Sequence, residues 1–323
     1  AFVDADEIWY LETGTGHQWI AQKTPDDKYF ASANQGRLQD YDPQSPDTLG
    51  SKTLVDFALS QGLYKPETDG KFNFSKAYTR DDGRDRIYND PRVWIIQKLL
   101  NPSLTQDPQQ GRSFPVYLTP EKKVTVEDAK AILRNHFDGS EHDPYGADLR
   151  GDEPWRPISV FRTYEAHVLQ VRPWLPKPIG EILYVAMGMA DLSVFIPFYA
   201  GLTHIPESWQ KGTDQGEADS AYWKFRRVQT LAMTDYPKLA PIVKQTWAEF
   251  EAQAKLEQEA MEKRVLELYR SDKTTAVEQL ETFNRALIAK AERTAEKLLE
   301  KLFVVRTLDI EAMVPAKNRK NKD

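Results

Sequence analysis

The 323-residue chain contains no cysteine. Disulfides are therefore excluded, and so are zinc sites built on thiolates. The absence is compatible with a reducing cytosol without requiring one. An excess of positive charge is missing too. The formal net charge is −6 and the pI about 5.6, which argues against nucleic acid as a partner. The short basic stretch KNRKNKD at 317–323 reads as a frayed terminus rather than a binding arm. His17, His136, His142, His167 and His204 fall in no metal-binding spacing and form no HExxH, so no metal is expected. A helix-end dipole contact is enough to explain His136. There is no GxxxxGKS/T loop, no GxGxxG and no GxSxG elbow. Neither a nucleotide cofactor nor a serine nucleophile has local support. The loop RDDGRDR at 80–86 lacks the acidic ladder of a calcium site and reads as solvated surface.

Long apolar runs are also scarce. The one at 182–202, ILYVAMGMADLSVFIPFYAGL, is interrupted by Gly188, Asp191, Pro197 and Gly201. These interruptions favour two buried strands joined near MADLS over a membrane span. The start, AFVDADEIWYLE, has no Met, no basic n-region and no apolar signal segment. It runs almost at once into strand-like sequence. Ala1 is therefore expected to lie inside a longer precursor, and the missing signal points to the cytoplasm.

What is present reads as strands first and helices later. EIWYLET, HQWIAQK and KYFASAN are expected to form a three-stranded meander, with GTG at 14–16 and TPDD as its turns. SKTLVDFALSQGL at 51–63 fits a helix capped by Ser51 and stopped by Gly62. Residues 65–88 look like loop. DPRVWIIQKLLNPS at 90–103 fits a helix with Pro91 in its first turn, and KVTVEDAKAILRNHFDG at 123–139 starts on a Thr125/Asp128 pair resembling a capping box. After a loop at 139–156, a strand is expected over 158–171. Three long amphipathic helices are expected from 217 onwards. Segregated, antiparallel strands and helices make the fold α+β. The expected organisation is a main domain at 1–216, with a helical and loop insertion around 43–154, and a helical region at 217–323 packed on it.

Two polar groups stand in apolar surroundings. Asn34 ends a strand after Ala31, Ser32 and Ala33. It could serve chemistry, or be a turn residue that tolerates left-handed geometry before Gly36. Arg162, between Phe161 and Thr163, could serve a site, or be a surface strand residue that snorkels or pairs.

Several segments together resemble one family. DADEIWYLETGTGHQWIAQKTPDDKYFASANQ, DPRVWIIQKLLNPS, WRPISVFRTYEAHVLQVRP and SVFIPFYAGLTHIPESW, with SAYWKFRRVQTLAM, are similar to the dipeptidase A family of bacterial cysteine peptidases. Secernins are related to that family, and penicillin V acylase and bile salt hydrolase more remotely. The resemblance covers essentially the whole chain. It implies an N-terminal-nucleophile hydrolase, an αββα sandwich with two antiparallel sheets, incomplete here at its N-terminus. The family's nucleophile is a cysteine exposed by removal of a propeptide, its own α-amino group is the base, and no cofactor is used. Substrates are dipeptides with a free N-terminus.

By this resemblance Asn34 takes the position of the amide that helps form the oxyanion hole. Arg162 takes that of an arginine close to the nucleophile. The separation between them exceeds that in the acylase relatives, and an insertion carrying DPRVWIIQKLLNPS accounts for it. The departure is the missing cysteine. Ala1 cannot be the nucleophile, so a Cys-bearing N-terminal segment is expected as a missing partner, and this chain alone is expected to be inactive. The family's long helices also suggest a homo-oligomer. Neither nucleic acid nor membrane is an expected partner. The alternatives are a non-catalytic binding or scaffold module, and an acylase-type amidohydrolase acting on a non-peptide amide.

Overall fold

The computed structural model describes residues 1–80, 83–146 and 154–313. The basic tail at 317–323, Asp81 and Asp82 of the RDDGRDR loop, and 147–153 of the Gly/Asp-rich loop lie outside the described residues. Among the described residues the chain forms two compact units. One comprises 1–144, 154–158 and 171–174, the other 145–146, 159–170 and 175–313.

In the first unit, the alternating residues after Glu7 pair as a hairpin. Strand β1 (Phe2–Val3) lies beside β2 (Ile8–Thr13), and β2 runs antiparallel to β3 (Trp19–Lys23), with Leu11 opposite Ala21 and Thr13 opposite Trp19. The GTG turn is a short 3-10 segment at Thr15–His17. The expected third meander strand does not join this sheet. β4 is only Tyr29–Phe30, while the free edge of β3 is taken by β5 (Thr48–Gly50). β4 instead pairs with β6 (Tyr117–Leu118), and its Phe30 ring packs 4.1 Å from that of Tyr10. Residues 31–33 have no ladder partner and run as unpaired chain towards Asn34.

Helix α1 (Leu54–Ser60) starts after Thr53, not Ser51. The Ser51 hydroxyl is occupied in accepting the Trp19 N–H (2.8 Å). The expected loop at 65–88 holds three short helices, α2 (Pro66–Asp69), α3 (Phe74–Tyr78) and α4 (Asp85–Tyr88). Each is about one turn, too short for a 3.6-residue pattern to show. Helix α5 (Asp90–Leu100) has Pro91 in its first turn as expected, and α6 (Val126–Arg134) opens on a full capping box between Thr125 and Asp128. The core is built on Ile20, Leu38, Leu54, Phe72 and Phe74, and a smaller cluster holds Ala31 against Val93 and Phe114. His136 is more than a helix-end residue. It is buried, and its ring nitrogens lie 2.8 Å from Asp143 and 2.9 Å from Asp138.

The second unit carries strands β7 (Glu165–Val171, all but its last residue), β8 (Glu181–Met187) and β9 (Ile196–Tyr199) in that order in one sheet. The apolar run at 182–202 is two antiparallel strands joined through a 3-10 turn at Ala190–Leu192, with Ile182 opposite Tyr199. Residues 158–164, expected as strand, form turns. The Arg226 guanidinium takes the carbonyls of Phe161 and Thr163 that a neighbouring strand would otherwise use. Short helices α7 (Lys177–Gly180) and α8 (Glu207–Gln210) precede α9 (Ala221–Ala232), α10 (Tyr236–Tyr269) and α11 (Lys273–Met313). The last three match the expected long helices. Their apolar stripes close on Leu192 and Ile196 through Phe225, Val243, Trp247, Leu287 and Leu298. β7–β9 thus share a unit with the long helices. No helix among the described residues is long and apolar enough to cross a membrane.

Candidate active site

Asn34 lies in a bend just beyond β4, with its side chain exposed. Two residues at the start of α5, Asn89 and Arg92, hold it. Its backbone N–H donates to Asn89 Oδ1 (3.1 Å). Asn89, the residue before α5, donates through Nδ2 to the Asp85 carboxylate. Arg92, in the first turn of α5, donates from one terminal nitrogen to Asn34 Oδ1 (2.9 Å) and to Asn89 Oδ1 (2.7 Å), and from Nε to the Tyr88 carbonyl (2.6 Å).

A guanidinium can only donate. The atom of the Asn34 amide that meets Arg92 must therefore be its oxygen, which turns Nδ2 the other way. That nitrogen makes no hydrogen bond to another described residue. Burial pushes Arg92 down to about 10, with the Arg156 charge adding to the fall and Asp85 opposing it. At neutral pH the group that orients Asn34 stays charged.

The cleft that Asn34 borders measures about 380 Å³, and Gly36, Arg80, Arg84, Tyr88 and Arg156 line it further. A second cavity of about 450 Å³ shares Gln35, Gly36, Thr79, Arg80 and Asp85 with it. Gly36 is required by close approach: a Cβ there would lie 2.2 Å from Thr79 Cγ2.

Behind the cleft the chain is clamped. The Glu12 carboxylate, on β2, accepts the N–H groups of Arg37 (2.7 Å) and Leu38 (3.0 Å). The Arg37 guanidinium donates to the carbonyls of Gly111 and Pro115, both at 2.7 Å. Gln35 Nε2 donates to Asp90 (3.1 Å). Burial raises the Glu12 carboxyl above its ordinary value, against the lowering effect of the two backbone N–H groups and the Arg37 charge.

Arg162 is placed differently. It is exposed in the turn before β7, in the second unit, and makes no hydrogen bond or ion pair with another described residue. The structure thus joins Asn34 to Asn89 and Arg92 and places Arg156 on the same cleft, within one unit. No sequence motif singles out any of these three residues. The available signal was local: Asn89 directly precedes the DPRVW helix start, and Arg92 follows it by three residues, one helical turn.

The model of peptidase family C69 matches residues 1–249 of this sequence. The chain belongs to peptidase family C69. The C69 chain is 53% identical over 217 residues to a probable dipeptidase of Salmonella dublin, covering 67% of this chain and 49% of that protein. It is 36% identical over 241 residues to a probable dipeptidase A of Streptococcus pyogenes serotype M3, covering 73% of this chain and 51% of the relative. A dipeptidase of Bifidobacterium longum is 32% identical over 248 residues, covering 72% and 46%. The C69 chain spans about half the length of these relatives. Asn34, Asn89, Arg92, Arg156 and Arg162 all fall within the family match, whereas α11 lies beyond it.

Proposed function

We propose that this chain forms the oxyanion-binding part of a cysteine-type dipeptidase with an N-terminal-nucleophile αββα fold. The observation that carries the proposal is the Asn34 amide, oriented by a charged arginine and presenting an unengaged N–H at the lip of a cleft. The relatives named dipeptidases supply the reaction class. Since the sequence has no cysteine, the nucleophile comes from residues outside it.

The chemistry follows from ordinary pKa values. A cysteine at a mature N-terminus carries an α-amino group titrating at about 8, which can take the thiol proton close to neutral pH. The thiolate attacks the peptide carbonyl, and negative charge develops on the carbonyl oxygen. Asn34 Nδ2 donates to that oxygen. Its orientation is already fixed by Arg92, so little reorganisation is needed as the charge forms. The ammonium then protonates the leaving amine, and water hydrolyses the thioester. The role proposed for Arg162, on the second unit, is separate: a guanidinium that favours the thiolate.

The test is hydrolysis by the complete protein, with its cysteine-bearing segment, of dipeptides set against N-acyl amides of equal size. Dipeptide turnover abolished by a thiol alkylator is the expected result. Preferential cleavage of the acyl amides, or turnover indifferent to alkylation, would refute the reading.

A further inference from the structure

The cleft beside Asn34 is rich in one sign of charge. Arg80, Arg84 and Arg156 line it, and Asp85 is the only carboxylate among its described lining residues. Arg92 lies directly behind Asn34. Asp85 is already engaged by Asn89. Arg156 and Arg92 are close enough to feel one another, since the charge of Arg156 lowers the pKa of Arg92.

Arg156 is the most exacting of them. Its backbone is fixed, because its N–H donates to the Ile87 carbonyl (2.9 Å). Its guanidinium lies over the Tyr88 ring, 5.8 Å from the centroid. Its Nε is buried and meets no acceptor, and the side chain pairs with no carboxylate among the described residues. A buried donor left without an acceptor is costly, and like charges gathered in a cleft add to that cost. Both costs are relieved by one ligand chemistry, an oxygen anion of fork-like geometry. A carboxylate is such a group. The cleft volume falls in the range of small-molecule sites.

We propose that Arg156, with Arg80 on the same cleft, binds the C-terminal carboxylate of the substrate. This rests on the dipeptidase reading and extends it, because it gives a physical reason for the length of the substrate. In a dipeptide the carboxylate follows the scissile carbonyl by one residue, roughly 3.5 Å of extended chain. Arg156 and Asn34 line the same cleft, so one small ligand can address both with its carboxylate and its scissile carbonyl. Longer peptides place a neutral amide where the cation pair requires an anion.

The test is binding to the complete protein, measured by calorimetry. The probe is a dipeptide isostere with –CH2–NH– in place of the peptide bond, so that no turnover intervenes. Its free acid, its C-terminal amide, and an amide whose second residue is glutamyl are compared. The free acid should bind ~10- to 100-fold more tightly than its amide, the range for hydrogen bonds to charged groups. Arg156→Gln should reduce that preference to within about twofold, by weakening the acid and leaving the amide unchanged. Arg156→Lys should restore part of it. If Arg156→Gln fails to fold, Arg80→Gln, on an exposed side chain, should lower the preference in the same direction.

Equal affinity for acid and amide in the wild type would overturn the proposal, as would equal weakening of both by Arg156→Gln. A glutamyl amide as tight as the free acid would overturn the assignment to the chain terminus. A clear acid preference in a protein that hydrolyses no dipeptide would refute the peptidase reading and leave the carboxylate site standing. Hydrolysis of dipeptide acids and amides at equal rates would do the reverse.

Discussion

Arg92→Lys isolates what the guanidinium does for Asn34. Arginine makes three side-chain hydrogen bonds here, to the Tyr88 carbonyl and to the amide oxygens of Asn34 and Asn89. Lysine keeps the charge, but as a single point on a flexible stem, and cannot reproduce the fork. Two of the three bonds should be lost. Bonds of this charged type contribute about 1.5–3 kcal/mol each in buried settings, and partial exposure reduces that here. A stability loss of about 2 kcal/mol is expected.

The larger effect should be on rate. With Oδ1 released, the Asn34 amide can rotate and Asn89 loses its second anchor, so the donor is present but not aimed. Complete removal of an oxyanion donor costs roughly 10²- to 10³-fold in kcat, so loss of aim should cost roughly 10- to 10²-fold, with little change in KM. The decisive assay is a double-mutant cycle in the complete enzyme. Arg92→Lys made on an Asn34→Ala background should change kcat by less than about twofold, because there is no amide left to orient. Independent, multiplicative effects of the two substitutions would refute the positioning role.

Other perturbations follow from the same geometry. Glu12 has a raised carboxyl pKa, so the folded state holds its proton more tightly than the unfolded chain does. Its contribution to stability is therefore lost as pH rises above the ordinary value of 4.5. In urea titrations the unfolding free energy of the wild type should fall relative to Glu12→Gln across that window, and a difference that is flat or rises with pH would contradict this. Arg162→Gln should raise the acid limb of the kcat/KM–pH profile and leave the rate largely recoverable at higher pH; an unmoved profile would remove Arg162 from the thiolate environment. Gly188→Ala should cost the second unit about 1–3 kcal/mol, read as a lowered unfolding midpoint. Gly188 has φ +76, and a Cβ there would lie 2.2 Å from Gln229 Oε1, an atom that accepts the Met189 N–H.

The sequence revealed long-range pattern better than local pairing. The three C-terminal helices, the two strands within 182–202 and the α6 capping box were legible because periodicity or capping chemistry marks them directly. Pattern alone assigns β4 to the meander, because its residues suit any half-buried strand. Its partner is decided by the distant β5, which occupies the edge it would have used. The strand expected through Arg162 failed because Arg226, more than sixty residues away in sequence, captures its carbonyls. The same limit applied to the site. Asn34 was visible as an amide after small residues, but its orientation depends on Arg92 and Asn89, which no spacing rule connects to it. Arg156 is set by tertiary contacts with Tyr88 and Ile87 and has no local signature.

If the Asn34 amide stabilises the developing oxyanion, its loss should slow the chemical step and spare binding. The kcat of Asn34→Ala in the complete protein, measured on a dipeptide with the KM determined alongside, decides this. The expected result is a fall in kcat of roughly 10²- to 10³-fold with KM within about threefold of wild type. A kcat within about twofold of wild type, in a variant that folds and binds substrate normally, would contradict it.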